Sequence, residues 1–531
     1  MRNKLLKNAI VSIIILGIFS LSLLSQNSFK SNIFTYEDTL KSLKFLSGQI
    51  SRVITGAGFK NTNYSLAVYS LDNSRYYFKK STRKALTPAS LTKLFTCFSA
   101  LYTLGTNFEY KTKIYHTGNI IDGVLNGDLY IVGAGDPLFS TDDLRSMVAE
   151  IANKGIKEIK GNIIADGSYF DDIYDRLDYS GDKDRVQPVQ AITGLSINNN
   201  IVTVTIHGNP QGKFRRALIT TDPPSPAFII INKSKVKGRP KHRKKKKAYL
   251  NETIEKAYYG GPVEYQSTTR RRKSYIKHRK NAKGQQVFTA SGTINADLSY
   301  SYRYYIDKPE EVVAGALLRL LNGSGIKVSG TFNVGKISEV KTEVYQLAEN
   351  KRYLVDVITP TLKNSDNYLA ENIFKLIGAN SGKMVENAKE SRQIIISLID
   401  SMEIDFSKCV LYDGSGLSRR NKLTANASIN LLIKTYNSEI MKPILDSSLS
   451  IAGRDGTLRK RMRYSLAADN LKAKTGTHKN VSGLCGFVRT LDGENLAFCF
   501  IFNGPSVGLY KQIENQLGII LAQFFYFNKE G

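Results

Sequence analysis

Histidine and cysteine are scarce in this 531-residue chain, which has five of the first and four of the second. That scarcity removes several kinds of chemistry. His116, His207, His242, His278 and His478 are scattered, two of them in the basic run described below, and no His-Glu-x-x-His occurs. Histidine-driven triads and zinc hydrolysis therefore find little support. Cys97, Cys409, Cys485 and Cys499 are too few and too dispersed for a disulfide scaffold, and none has zinc-ligand spacing. All four sit among apolar residues, where buried thiols are expected. Cys485 and Cys499 flank the turn signal Asp492-Gly493 almost symmetrically, so they read as cross-strand neighbours, bridged or not. A Gly-x-Ser-x-Gly elbow and a phosphate-binding loop are also missing. The N-terminal apolar run, Ala9 to Leu24, falls short of the roughly 20 residues that span a bilayer. It follows Arg2, Lys4 and Lys7, so residues 1–25 have the layout of an export signal, cleaved or kept as an anchor. No Cys ends the run, so lipoprotein processing is not indicated.

Acidic residues are outnumbered, 46 to 75, which leaves a formal charge of +29. The excess is local. Lys233 to Lys283 holds nineteen Lys/Arg against three Glu, so this segment alone carries +16. Blocks of this kind repel themselves and are expected to be disordered. The segment reads as a solvated loop or as an attractor for an anionic envelope polymer or membrane surface. Nucleic acid is the weakest candidate, since an exported chain meets little of it. Length favours two to four domains, and 42% hydrophobic residues suit a well-cored protein.

Along the chain, Tyr64–Tyr77 alternates around Asn73-Ser74 as a hairpin. Thr87-Pro88 then predicts a helix start, with Thr as cap and Pro at the first helical position. Leu91, Leu94, Phe95, Phe98 and Leu101 follow at helical spacing. Residues 109–338 alternate short strand-like runs with Gly/Asp turns and helices at 140–153 and 309–321. Helices are expected again at 367–377, 387–401 and 424–438. A meander at 471–477, 483–490 and 495–502 and a last amphipathic helix at 510–527 close the chain.

Three short motifs carry the chemistry. Ser90 and Lys93, three apart at a helix start, place a weak hydroxyl nucleophile beside a base. Backbone N–H groups at that start favour the anion that attack creates. The Ser-x-x-Lys spacing recurs at Ser81/Lys84, Ser180/Lys183 and Ser324/Lys327, so it says little alone. Lys474-Thr475-Gly476, on a strand, supplies a second cation to lower the Lys93 pKa, a hydroxyl for a substrate carboxylate and a close backbone approach. The N–H of Thr477, with that of Ser90, would complete an oxyanion hole. Ser365-Asp366-Asn367 precedes a helix, where a plain helix cap is the competing reading. In the functional one, Ser365 relays a proton and Asn367 holds an amide.

In this order the motifs resemble those of the serine acyl-transferases that include penicillin-binding proteins and serine β-lactamases. The surroundings are similar to the exported D-alanyl-D-alanine carboxypeptidases/endopeptidases of the DacB type. The resemblance rests on Thr87-Pro88-Ala89-Ser90 through Thr96, Gly133-Ala134-Gly135-Asp136-Pro137, Asp413-Gly414-Ser415-Gly416-Leu417-Ser418-Arg419 and Gly453-Arg454-Asp455-Gly456-Thr457-Leu458. It implies an α+β fold: a β-lactamase/transpeptidase-like domain, an antiparallel sheet flanked by helices, formed by residues 30–108 and 339–531. A β-rich insert of one or two domains at 109–338 would interrupt it. The resemblance also implies hydrolysis of peptidoglycan stem peptides through an acyl-enzyme on Ser90, acylation by β-lactams, and no metal or organic cofactor. Asp166, Phe170 and Arg419 are implied to hold the side chain of the stem peptide's diamino acid, although a strand end and an apolar anchor explain the first two equally well. A β-lactamase and a catalytically idle scaffold that binds anionic polymer are the alternatives. Two departures stand out: the basic segment is longer than in relatives, and Lys479 sits where a neutral polar residue is usual.

Overall fold

The computed structural model describes residues 36–59, 61–183, 187, 189–209, 216–237, 274–383 and 385–525. The export segment (1–25) and the larger part of the basic segment (238–273) lie outside them.

Alternation with a period of two builds the central sheet. Its strands are β1 (Asn63–Ser70), β2 (Arg75–Lys80), β3 (Ser450–Ile451), β4 (Lys472–His478), β5 (Val481–Arg489) and β6 (Asn495–Asn503), in the order β3-β4-β5-β6-β1-β2 and antiparallel throughout. Along β6, Phe498, Phe500 and Phe502 face one side, and Ala497, Cys499 and Ile501 face the other. The aromatic face is covered by helices α1 (Tyr36–Gly56) and α4 (Val507–Gln523). The face of smaller residues takes helix Ala425–Tyr436 and the Ala89–Leu91 turn that leads into α2 (Thr92–Leu104), with α3 (Asn367–Ala379) packed against α2. Sheet residues thus have an apolar layer on both sides. The spacing did not single out α1, whose Leu46, Ile50 and Ile54 are buried.

Between α2 and α3 the chain builds several smaller sheets around a second core. The largest has five strands and runs from Phe332–Val334 to Val344–Tyr353, the latter hydrogen-bonded along Glu109–Thr117. Its last strand therefore comes from beyond residue 338. Helix Thr141–Asn153 starts where expected because Ser140 and Asp143 form a reciprocal capping box. Among the described residues, no helix is long and apolar enough to cross a membrane.

Candidate active site

The helix carrying Ser90 begins later than its sequence predicts. Ala89–Leu91 is a 3₁₀ turn and α2 starts at Thr92. Thr87 does not cap: its hydroxyl donates to the Arg419 carbonyl (3.3 Å) and accepts from Lys422 Nζ (2.7 Å). The cause is tertiary. Ala89 sits at φ +48°, a left-handed conformation that L residues adopt at a cost. It is held there by Gly416, where a Cβ would come within 2.0 Å of the Ala89 carbonyl oxygen. The Asp-Gly-Ser-Gly turn at 413–416 therefore packs directly against the turn that bears Ser90.

Lys93, fully buried, donates from Nζ to Ser90 Oγ (2.9 Å), Asn367 Oδ1 (2.7 Å) and the Ser415 carbonyl (2.7 Å). The last two partners can only accept. A neutral amine would satisfy both with its two N–H bonds and turn its lone pair toward Ser90. Burial lowers the Lys93 pKa to about 8 from 10.5, against the pull of Glu371, Asp366 and Asp413.

Lys474 is also fully buried and makes one bond, to the Thr475 carbonyl (2.9 Å). Its pKa lies well below 10.5, first through burial and then through repulsion from Lys93. Each ammonium disfavours the other, so the two buried lysines resist being charged together.

Asn367 Nδ2 continues to Gln187 Oε1 (3.3 Å). The cap of α3 is Asp366, whose carboxylate accepts from the Leu369 N–H (3.0 Å). Ser365 is thereby released from capping and stands at φ +60°, half-buried. Its hydroxyl is not among the partners of Lys93 or Lys474 given above.

On the strand wall, β3 pairs β4 only at Lys472 and Ala473, so β4 has no outer strand from Lys474 onward among the described residues. The turn bearing Ser90 closes against this stretch. A Cβ on Gly476 would meet the Pro88 carbonyl oxygen at 2.6 Å, and one on Gly483 the Leu91 side chain at 2.8 Å. The lack of a side chain at Gly476 accommodates the Pro88–Leu91 turn. Thr475 Oγ1 donates to Thr457 Oγ1 (2.9 Å), which lies 3.1 Å from Ser450 Oγ, and Ser450 Oγ donates to the Lys363 carbonyl (2.8 Å). Lys363 Nζ in turn bonds Asp455 (2.8 Å). The Gly453–Leu458 motif thus ties the strand wall to the chain leading into Ser365. Thr477 is exposed, and His478 Nε2 lies 3.0 Å from the Leu417 carbonyl.

Residue patterns missed the support beneath Lys93. Glu371, fully buried, accepts from the N–H groups of Gly414 (3.1 Å) and Ser415 (2.8 Å) and from the Tyr179 hydroxyl (2.8 Å). Burial and the nearby Asp413 raise its pKa to about 7. Asp413 accepts from the N–H groups of Gly416 (2.9 Å) and Ser418 (2.7 Å), from Asn421 Nδ2 (2.6 Å) and from Arg176 Nη1 (3.0 Å). These carboxylates fix the turn whose Ser415 carbonyl holds Lys93. The one signal available was Asp413-Gly-Ser-Gly itself, and a backbone carbonyl's role has no residue signature.

Of the three residues implied for the stem-peptide side chain, Asp166 and Phe170 lie apart from these hydrogen bonds, whereas the Arg419 carbonyl accepts from the Thr87 hydroxyl. Asp166 is buried at a strand end and accepts from the N–H groups of Ser168 and Ile337 (both 2.8 Å). Phe170 is buried, with Lys375 Nζ 5.4 Å from its ring centre. Arg419 is exposed at the end of the 413–419 turn. Cys485 and Cys499 face each other across β5 and β6, as the turn position predicts, and all four cysteines are buried free thiols.

The arrangement of sheet, helices and insert is shared with known proteins. The crystal structure of penicillin binding protein 4 (dacB) from Haemophilus influenzae superimposes with a TM-score of 0.66 at 22% identity, covering 90% of this chain and 99% of that one. The fold is accordingly the helix-flanked antiparallel sheet of penicillin-binding proteins. A family model narrows this further: the D-Ala-D-Ala carboxypeptidase 3 (S13) model matches residues 46–254 and 262–524, and the chain belongs to that peptidase family. Among curated proteins, the D-alanyl-D-alanine carboxypeptidase of Actinomadura sp. (strain R39) is 27% identical over 84% of this chain and 79% of the relative. The D-alanyl-D-alanine carboxypeptidase DacB of H. influenzae is 24% identical over 85% of each.

Proposed function

We propose that this peptidase acts on D-Ala-D-Ala ends of peptidoglycan stem peptides through an acyl-enzyme on Ser90. Neutral Lys93 takes the Ser90 proton as Oγ attacks the penultimate D-Ala carbonyl. Ser365 relays a proton to the departing D-alanine, and water then releases the acyl group. Asn367 holds the substrate amide, and Lys474 with Thr475 receives the terminal carboxylate. That carboxylate restores to Lys474 the charge that burial and Lys93 discourage. The N–H groups of Ser90 and Thr477 face the developing oxyanion, at a spacing that Gly476 permits.

One observation carries this reading: Lys93 Nζ lies 2.9 Å from Ser90 Oγ while acceptors fix its other two directions. Family membership supports the substrate class. Residues 30–108 and 339–531 would form the catalytic unit, except that strand Val344–Tyr353 completes the insert's sheet, and the insert would flank the cleft. Asp166, Phe170 and Arg419 remain candidates for the diamino-acid side chain; each Asp166 oxygen retains acceptor capacity beyond its backbone bond. Residues 1–25 would direct the chain to the cell envelope, and segment 233–283 would attract anionic polymer or membrane there.

β-Lactams, which resemble the substrate's end, would acylate Ser90 and leave it slowly. Intact-protein mass should rise by one penicillin, and Ser90→Ala should abolish the shift. Label retained in the Ser90→Ala protein would refute the assignment.

A further inference from the structure

One pole of the central sheet combines exposed apolar side chains with basic ones, and the acyl-transfer site uses none of them. The segment Leu458–Leu471 leaves the active-site wall at Thr457 and crosses α4, where Arg461 is fixed by Glu514 (2.9 Å) and Asn515 (2.8 Å). Beyond that anchor, Met462 and Tyr464 both take left-handed backbone conformations, at φ +54° and +59°. The Tyr464 side chain ends wholly in solvent (101% exposed), and Leu466 is 48% exposed. A bulky residue held at positive φ and pushed into water needs a reason.

The same pole carries more of the same chemistry. Asn470 bridges the segment to the β5–β6 turn, donating to the Arg489 carbonyl (2.7 Å) and accepting from the Arg489 N–H (2.9 Å). In that turn Leu491 is 60% exposed, and its N–H donates to the Phe524 carbonyl (2.9 Å) at the end of α4. Phe525 follows, 40% exposed. Tyr464, Leu466, Leu491 and Phe525 thus lie on three segments joined by hydrogen bonds. On or beside these segments stand Arg459, Lys460, Arg463 and Arg489, against the acids Asp469 and Asp492 and Asp72, which accepts from the Asn495 N–H just past the turn.

We propose that this pole rests on an anionic phospholipid bilayer, with Tyr464, Leu466, Leu491 and Phe525 entering the interface and the Arg/Lys side chains meeting headgroups. A second copy of the chain would present the same basic surface and repel it. A soluble polyanion would leave the four apolar side chains in water. The chain path agrees. α1 packs along α4, and Phe59, just past α1, meets Tyr510 in the first turn of α4 (ring centres 5.8 Å apart). The two helices therefore run antiparallel, and α1 begins at the Phe524 end. The apolar run Ala9–Leu24 stands only eleven residues ahead of Tyr36 in the sequence, a reach of about 36 Å when extended. An anchored chain would thus be tethered at the pole that carries the patch.

The chain has no tryptophan, so one introduced Trp reports its own depth. Full-length Tyr464→Trp, Leu491→Trp and, as a control, Val334→Trp (58% exposed on the insert) would be mixed with phosphatidylglycerol-containing vesicles bearing brominated acyl chains. Emission from positions 464 and 491 should shift to the blue and be quenched, less so on zwitterionic vesicles or after Lys460→Glu with Arg463→Glu. Position 334 should not respond. Unchanged melting temperatures would show each variant folded, and two reporters cover the loss of one. Vesicle-bound protein with 464 and 491 unquenched, quenching equal at 334, or a blue shift without bromolipid quenching would each overturn the proposal.

Discussion

Two lysines lie fully buried on facing walls of one cleft, and their surroundings differ sharply. Lys93, on the helix wall, has three hydrogen-bond partners and three carboxylates within electrostatic reach, and its pKa falls only to about 8. Lys474, on the strand wall, has one carbonyl partner and Lys93 as its charged neighbour, and burial holds its pKa well below 10.5 with no carboxylate to offset it. The difference suits the two tasks proposed for these lysines. A base must exchange its proton near working pH, and here burial is offset by Glu371, Asp366 and Asp413. A carboxylate receptor needs no charge until its ligand arrives.

The largest effect should come from removing the proposed base. Lys93→Met is expected to slow acylation of Ser90 by about 10²–10⁴-fold for any acyl donor, measured as the rate of penicillin adduct formation. The same variant should let Lys474 hold its proton to higher pH, because the neighbouring ammonium is gone. Lys474→Met should instead act mainly on donors with a terminal carboxylate. A loss of roughly 10- to 100-fold in kcat/KM, dominated by KM, is expected for one charged hydrogen bond. Equal losses for a donor lacking the carboxylate would erase the proposed division of labour. Asn367→Asp puts an anion against Lys93 Nζ and should raise its pKa, so acylation near pH 7 falls by about tenfold or more while activity at high pH recovers. The smallest effect belongs to the strand wall. Gly476→Ala should destabilise the fold by about 1–3 kcal/mol in a denaturant titration, because a Cβ must displace the Pro88 carbonyl.

Much of the scaffold was legible in the residues. Alternation and Asp492-Gly493 placed β5 and β6 and paired Cys485 with Cys499, because a strand's faces are written in every second residue. Helix Asn387–Ser401 fell where the periodicity predicted it. The start of α2 did not, because the left-handed Ala89 depends on Gly416, more than 300 residues away in sequence. Helix Leu354–Lys363 went unread because Pro360 inside it looks like a breaker. In the site, the three motifs named the side chains that meet at Lys93 and on β4. They were silent on Glu371 and on the Ser415 carbonyl. The burial of Lys93, which decides its pKa, is a property of packing that no short motif displays.

The proposed acyl transfer needs Lys93 to act as a neutral base at a pKa set by burial, and the pH dependence of Ser90 acylation tests that directly. Lys93 must lose its proton to act, so the rate should climb with pH and level off through a midpoint near 8. Below the midpoint the rate should fall about tenfold per pH unit, and the limb should move upward in Asn367→Asp. A rate flat from pH 6 to 9, or a midpoint unmoved by that substitution, would contradict it.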